Sequence, residues 1–293
     1  MYRSVLVPLD GSAFSAAALP IAAAFARKTG AELHLVAVYD PSAFLHLTPG
    51  DVNLPLFLPN TVDERCELLR STVLEQAASI SNTGLKATGT LLEGTIVEAL
   101  AEHAEFTHAD LVIMATHGRA GIDRLRIGSV ASSFLSRSPV PVFLVRPASE
   151  DSALAAQELP HGALLVPLDG SAFAETMLLR AAEFANALGL SIELVTVSES
   201  NGADNAHHYL ERVAAAINPP PSVPPVITVL SGTSAAHGII IHTMKTHPAA
   251  IAMATHGRSG IIRLVLGSVA DNVLKGVDCP MLVYRPDSET LAS

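Results

Sequence analysis

The sequence has few cysteines, few aromatic residues and no long apolar run. Its 293 residues include two cysteines, Cys66 and Cys279, and no tryptophan. Two cysteines at unrelated positions fit a reducing compartment and argue against a disulfide framework. No stretch approaches the roughly 18 apolar residues of a membrane span, and the apolar segment at residues 4–9 is too short for a signal peptide. We therefore expect a soluble, cytoplasmic protein with no membrane contact.

The chain also lacks an excess of basic residues. Lys and Arg number 18 against 28 Asp and Glu, so the net charge is −10. A negative protein repels polyanions unless a basic patch overcomes the repulsion, and no lysine-rich stripe is present. Nucleic acid is therefore not expected as a partner. A Walker A motif and a dinucleotide GxGxxG motif are both absent.

What the sequence does contain is an internal duplication. Residues 5–14 match residues 164–173 at an offset of 159, and residues 115–119 match residues 254–258 at an offset of 139. The first copy therefore carries about 20 additional residues between the two matches. We predict two domains, at residues 1–147 and 162–293, joined by a linker at residues 148–161.

Each copy alternates short apolar runs with longer alanine-rich and leucine-rich stretches. Runs such as residues 110–114 and 140–145 are apolar on both strand faces, as in a parallel sheet covered by helices on both sides. Gly30 and Gly189 follow the first helix of each copy, where a left-handed C-cap is expected. Pro20 predicts a bend in that helix. We predict an α/β fold of two tandem repeats, each an open, mostly parallel, doubly wound sheet of Rossmann-like type.

Two segments bear on association. Each copy ends in an apolar strand, at residues 140–145 and 281–284, and unpaired edges invite association. We predict that the two copies pair through these strands about a pseudo-twofold axis. The additional residues of the first copy, about 40–62, are too apolar for a solvated tail. We predict that they pack across their own domain or against another subunit, which favours a homodimer of tandem chains.

A glycine-containing loop follows one strand in each copy. The first copy has Gly118 and then Gly128-Ser129, and the second has Gly257 and then Gly267-Ser268. Backbone amides at such glycines, and at the start of the following helix, approach an anion closely. Open α/β sheets bind ligands at the carboxyl ends of their strands. The loops therefore favour a phosphate site in each copy, with a structural turn before a capped helix as the alternative.

Asp10 and Asp169 end the first strand of each copy. Their carboxylates could accept a hydrogen bond from a ribose hydroxyl or an adenine amine. They could instead cap the following helix, a role that Ser12 or Ser171 would serve equally well. No partnered nucleophile is evident, so binding is favoured over a general-base role.

Histidines and arginines near these loops leave alternatives open. An imidazole within each loop could donate to a phosphate oxygen or cap backbone groups, and the loop arginines could neutralise phosphate or remain solvated. The histidines are His117 and His256, and the arginines are Arg119, Arg124, Arg258 and Arg263. His237, His242 and His247 are spaced by five residues, about 140° per step on a helix, and cannot share one face. We expect no metal-binding site among them.

These motifs resemble the universal stress proteins, in their tandem arrangement and ATP-binding branch. The family pattern is Gly, two residues, Gly, nine residues, then Gly with Ser or Thr, and the resemblance covers nearly the whole chain. The first glycine of the pattern is Ala115 in one copy and Ala254 in the other. Alanine adds one methyl group where the backbone should approach phosphate, so we expect weakened or adjusted binding rather than loss.

The resemblance implies a set of nucleotide-contacting residues in each copy. The aspartate contacts the adenosine part, and the valine at the end of the second strand packs on adenine. In the first copy they are Pro8, Asp10, Val38, Met114, Ala115, Gly118, Gly128, Ser129 and Val130. In the second copy they are Pro167, Asp169, Val197, Met253, Ala254, Gly257, Gly267, Ser268 and Val269.

The resemblance further implies a stress-response and signalling protein whose ATP occupancy reports the energy state of the cell, with Mg²⁺ as an optional companion ion. No base, lysine or metal-ligand set for hydrolysis stands out, so we expect no enzyme activity beyond a slow ATPase. Two alternatives stay open. One is an ATP-dependent enzyme of a related α/β superfamily, and the other is a scaffold with degenerate nucleotide pockets.

Overall fold

The computed structural model describes residues 2–41, 62–116, 127–146, 159–198, 202–255 and 267–286. Most of the predicted linker, most of the additional segment of the first copy and the middle of both glycine loops lie outside these ranges. The predicted packing of the additional segment therefore stays a prediction.

Strands and helices alternate in both copies. The first copy contains strands β1 (Ser4–Leu9), β2 (Glu32–Tyr39), β3 (Ala87–Glu93), β4 (Leu111–Ala115) and β5 (Val142–Val145), and helices α1 (Ala13–Ala16), α2 (Ala18–Thr29), α3 (Val62–Ser81), α4 (Ile96–Phe106) and α5 (Ser129–Leu135). The second contains β6 (Ala163–Pro167), β7 (Ser191–Ser198), β8 (Val226–Ser231), β9 (Ala250–Ala254) and β10 (Met281–Tyr284), with α6 (Ala172–Glu175), α7 (Met177–Leu188), α8 (Ala203–Ala216), α9 (Ala235–Thr246) and α10 (Ser268–Gly276). No helix in the described ranges is long and apolar enough to cross a membrane.

The ten strands form one sheet in the order β3-β2-β1-β4-β5-β10-β9-β6-β7-β8. Within each copy every neighbouring pair is parallel. The strand order runs outward from β1 to β3 and then resumes on the other side of β1 with β4, so each copy has a switch point at its first strand. The predicted α/β fold of two tandem, mostly parallel repeats is confirmed.

Both faces of this sheet are buried, because alternate residues of each strand join different cores. Val5 and Val7 of β1 belong to the cluster that contains Phe25 of α2. Leu6 points the other way and belongs to the cluster that contains Leu100 of α4 and Phe134 of α5. All four residues named from β1 and α4 are at most 1% exposed. The doubly wound arrangement follows from strands that are apolar on both faces.

The first helical stretch is interrupted three residues before Pro20. The break between α1 and α2 lies at Ala17, and an identical break at Thr176 separates α6 from α7. Leu179 stands in the second copy where the first has proline, so proline does not cause the break. Pro20 lies in the first turn of α2, where the backbone N–H that proline lacks has no intrahelical partner.

The two copies meet through their last strands, as predicted. β5 and β10 are antiparallel, and Phe143 pairs with Leu282, its equivalent at the offset of 139. On either side, Leu144 pairs with Met281 and Val142 pairs with Val283, which are reciprocal pairings of equivalent positions. Reciprocity of this kind defines a local twofold axis, which passes between Phe143 and Leu282.

Equivalent side chains from the two copies also meet on the helices beside this axis. Phe25 of α2 stacks on Phe184 of α7 with ring centroids 5.8 Å apart. Behind the other sheet face, Arg146 follows β5 and its Nη2 donates to the Leu274 carbonyl oxygen of α10 at 2.6 Å. Arg285 follows β10 and donates to the Ser136 carbonyl oxygen at the end of α5. Each copy thus places a cation at the negative end of a helix in the other.

Candidate functional site

A cleft opens in each copy at the carboxyl ends of the strands that flank the switch point. The first has a volume of about 270 Å³ and the second about 430 Å³. Parallel strands point their carboxyl ends to the same edge, and the reversal of strand order leaves a crevice between helices from opposite faces. The motifs found in the sequence converge at this edge although they are far apart along the chain.

The structure brings eight of the nine predicted residues to the cleft in each copy. In the first they are Pro8, Asp10, Val38, Met114, Ala115, Gly128, Ser129 and Val130. In the second they are Pro167, Asp169, Val197, Met253, Ala254, Gly267, Ser268 and Val269. The remaining predicted residue of each copy, Gly118 or Gly257, lies outside the described residues, as do the loop histidines and arginines.

The aspartate after the first strand is held by the serine two residues later. Asp10 Oδ1 accepts hydrogen bonds from the Ser12 backbone N–H at 2.9 Å and from the Ser12 hydroxyl at 2.6 Å. The Ser12 Oγ accepts in turn from the Ser15 N–H at 3.1 Å and caps α1. Asp169 and Ser171 repeat the arrangement, with distances of 3.0 Å and 2.5 Å. The serine is therefore the helix cap, and the aspartate is oriented at the wall of the cleft rather than used as a cap.

The opposite end of each cleft is the first turn of a helix. The Gly128 N–H donates to the Thr116 carbonyl oxygen at 2.7 Å and closes the base of the loop. The N-cap of α5 is Gly128 itself, and its counterpart in α10 is Gly267, so neither helix has a side-chain cap among the described residues. The first-turn amides have no intrahelical acceptor, and the helix dipole adds positive potential. This end of each cleft suits an anion.

The second helix carries a charge that the first lacks. Asp271 lies in the first turn of α10 and accepts a hydrogen bond from Lys275 Nζ at 2.6 Å. The equivalent residue of α5 is Ser132. A carboxylate in the first turn competes for the positive potential that an anion would use, although its lysine partner offsets part of its charge.

One part of each cleft, called here the base end, is apolar. It lies between the second strand and the helix after the third strand, which the sequence motifs did not include. In the first copy this end is lined by Val38, Ile96 and Leu100. In the second it is lined by Val197, Ala235 and Ile239. The lining residues of α4 and α9 were missed because they look like ordinary core positions of an amphipathic helix.

The alanines that replace the first glycine of the loop pattern are the last residues of strands. Ala115 pairs with Val145 in the sheet, and Ala254 pairs with Tyr284. Both line their clefts. A strand-end position accepts a Cβ without backbone strain, so the methyl groups change the cleft wall rather than the fold.

The three histidines of the second copy do not meet. His242 Nε2 lies 2.8 Å from Glu193 Oε1 in a partly buried pair. His247 follows the end of α9 with a φ of 46°, and His237 is exposed. No group of three or more potential metal ligands is assembled among the described residues.

Comparisons with known proteins agree with this architecture. The family model described as the universal stress protein family matches residues 1–146 and 162–285. A universal stress protein of Methanocaldococcus jannaschii is 31% identical over 146 residues, half of this chain and 83% of that protein. A universal stress protein of Mycobacterium bovis is 27% identical over 268 residues, 84% of this chain and 87% of its own length.

Solved structures give the same result. The crystal structure of a universal stress protein from Archaeoglobus fulgidus matches with a TM-score of 0.72 at 21% identity, over 98% of this chain and 97% of that one. A universal stress protein in complex with cAMP matches 49% of this chain and 97% of its own, at 25% identity and a TM-score of 0.37. Since the family model covers both copies, the chain belongs to the universal stress protein family.

Proposed function

We propose that each cleft binds an adenine nucleotide, ATP in the first place, and that nucleotide occupancy is the signal this protein carries in a stress response. One observation supports the proposal above all others. In both copies an apolar recess, an uncapped helix N-terminus and an oriented aspartate line the same cleft. A nucleotide carries groups that match these three features, which are an aromatic base, anionic phosphates and a sugar with hydroxyls.

Each part of the nucleotide is assigned to the part of the cleft whose chemistry matches it. The base packs between the second strand and the following helix, on Val38 or Val197. The ribose hydroxyls lie by the carboxylates of Asp10 and Asp169, whose oxygens can accept hydrogen bonds from them. The phosphates lie at the first turn of α5 or α10, where amides and the helix dipole favour negative charge. Mg²⁺, if present, would accompany the phosphates.

Slow or absent hydrolysis is part of the proposal. The Ser12 hydroxyl donates to Asp10 and its oxygen caps α1, so this hydroxyl is committed to the turn. Among the described cleft residues, no lysine or histidine stands ready to activate a water. An ATP-dependent enzyme would need such a group or a dedicated metal site. Multiple-turnover phosphate release with magnesium distinguishes the enzyme from the binding protein.

The direct test begins with the purified protein. Denaturing it and identifying released nucleotides by chromatography should yield adenine nucleotide. Calorimetry with ATP, ADP, AMP and cAMP, the ligand of one related structure, should then show two sites per chain. Absence of released nucleotide together with absence of heat at millimolar ATP would refute the proposal in favour of a scaffold with degenerate pockets.

A charge placed in the first turn tests the phosphate end. Gly128→Glu and Gly267→Glu each introduce bulk and negative charge where the phosphates should lie, and each should remove one site. Ser133→Glu and Asn272→Glu are matched controls, because they add the same side chain to exposed positions of the same helices. The controls should keep both sites, and normal ATP binding by the double glycine variant would show that the phosphate end is misassigned.

A further inference from the structure

The helices that close the base end differ between the two copies. Leu100 of α4 and Ile239 of α9 are equivalent, and they are 1% and 3% exposed in their respective cleft walls. One helical turn earlier, Ile96 lines the first cleft and Ala235 lines the second. A branched four-carbon side chain is thus replaced by a single methyl group at the same place.

A second small residue lies on the same side of α9. A Cβ added to Gly238 would lie 3.2 Å from Val197 Cγ2, closer than side chains normally pack. The equivalent residue of α4 is Ala99, which already has that methyl group. Val197 therefore packs into space that the absent side chain of Gly238 leaves free. A larger residue at position 238 would displace Val197 at the cleft wall.

Ala235 and Gly238 are both small residues beside the base end of the second cleft: Ala235 lines the cleft, and Gly238 leaves room for the Val197 side chain in its wall. They are three residues apart and so lie on one side of α9. The whole-cleft volumes, about 430 Å³ against about 270 Å³, differ in the same direction. At the phosphate ends the N-cap glycines have nearly equal φ angles, −57° and −56°, and the copies differ there in the charge of Asp271. The copies thus differ in charge at the phosphate end and in side-chain size where the base should bind.

We infer that the two sites have different base specificity: the first is restricted to an unsubstituted adenine ring, and the second also accepts purine nucleotides enlarged on the ring. Residues 96 and 235 determine this difference. The inference rests on the proposed function, since it concerns the base end of the same sites. It assigns the second site a wider ligand class than ATP, which includes base-modified adenine nucleotides.

The test uses full-length chains with one working site. Gly267→Glu leaves the first site and Gly128→Glu leaves the second. Calorimetry compares ATP with N6-benzyl-ATP and 2-methylthio-ATP, which enlarge opposite edges of the ring. The first site should bind at least one analogue about tenfold or more weakly than ATP, as expected when a few carbons exceed an apolar pocket. The second site should bind ATP and both analogues within about threefold of one another.

Exchanging the two residues should exchange the behaviour. Ile96→Ala should restore analogue binding to the first site, and Ala235→Ile should make the second site discriminate, each with an unchanged circular dichroism spectrum as evidence of folding. His237→Ile is the matched control, because it places the same side chain at an exposed position of α9. Two results would overturn this inference and leave the proposed function intact. One is ATP binding with equal analogue affinities at both sites, and the other is an unchanged analogue specificity of the second site in Ala235→Ile. Failure of either site to bind ATP would instead overturn the proposed function.

Discussion

The reciprocal arginines at the junction of the two copies allow a quantitative prediction. Arg146 and Arg285 each donate across the junction to a carbonyl at the end of a helix in the other copy. Arg146→Met and Arg285→Met keep much of the aliphatic stem and remove the guanidinium, so they isolate the polar contact from side-chain packing. Burial lowers the pKa of the Arg146 guanidinium, with Asp278 acting in the opposite direction, and the group stays charged.

The expected loss follows from the type of contact. A hydrogen bond from a charged donor contributes about 1.5–3 kcal/mol to the free energy of unfolding. Both arginines are only partly buried, so solvent screening favours the lower value for each. The double variant should lose about 3 kcal/mol, and at about 2–4 °C per kcal/mol for a chain of this size the midpoint should fall by about 6 °C or more.

Urea unfolding followed by circular dichroism measures this loss. Arg137→Met is the matched control, because Arg137 forms an ion pair with Glu98 inside the first copy and both side chains are largely exposed, at 56% and 43%. Exposed pairs contribute at most about 1 kcal/mol. If the double variant loses no more than the control, the arginines do not hold the copies together and the final strands with the stacked phenylalanines carry the junction.

Three further predictions concern single copies. Burial lowers the pKa of His34 and of His103, and the two imidazoles also repel each other when charged. Their contribution to the free energy of unfolding should therefore be fully present above about pH 6.5 and decline as the pH falls below it. Urea midpoints at pH 7.5 and 5.5 measure the decline, and His103→Gln should reduce it. Gly89→Ala should destabilise the first copy by about 1–3 kcal/mol, because the new Cβ would lie 2.7 Å from the Val73 carbonyl oxygen. Gly232→Ala is the control and should be near neutral in the same unfolding assay. Asp271→Ser should raise the ATP affinity of the second site by about two- to fivefold in calorimetry at low salt, and no change would show that its carboxylate does not reach the phosphates.

Local features were predictable from the sequence because local physics specifies them. The duplication is visible as repeated letters, and strands apolar on both faces require helices on both sides. Gly30 and Gly189 end their helices in the left-handed conformation, with φ angles of 76° and 65°, as their positions after the helical stretch predicted. The apolar final strands predicted the pairing of β5 with β10, because an unpaired apolar edge is costly to expose.

Other features depended on contacts between distant residues. The break in the first helix recurs with leucine in place of proline, so the residue at position 20 does not decide it. Ile96 and Ala235 look like ordinary core residues in the sequence, and only the neighbouring second strand makes them the wall of a cleft. The cation of Arg146 acquires a partner only because the antiparallel junction brings the end of α10 beside it. Hydrophobic periodicity in the sequence indicates which face of a helix or strand is buried. The order and direction of the strands determine which elements lie beside it, and those neighbours determined the shape of each site.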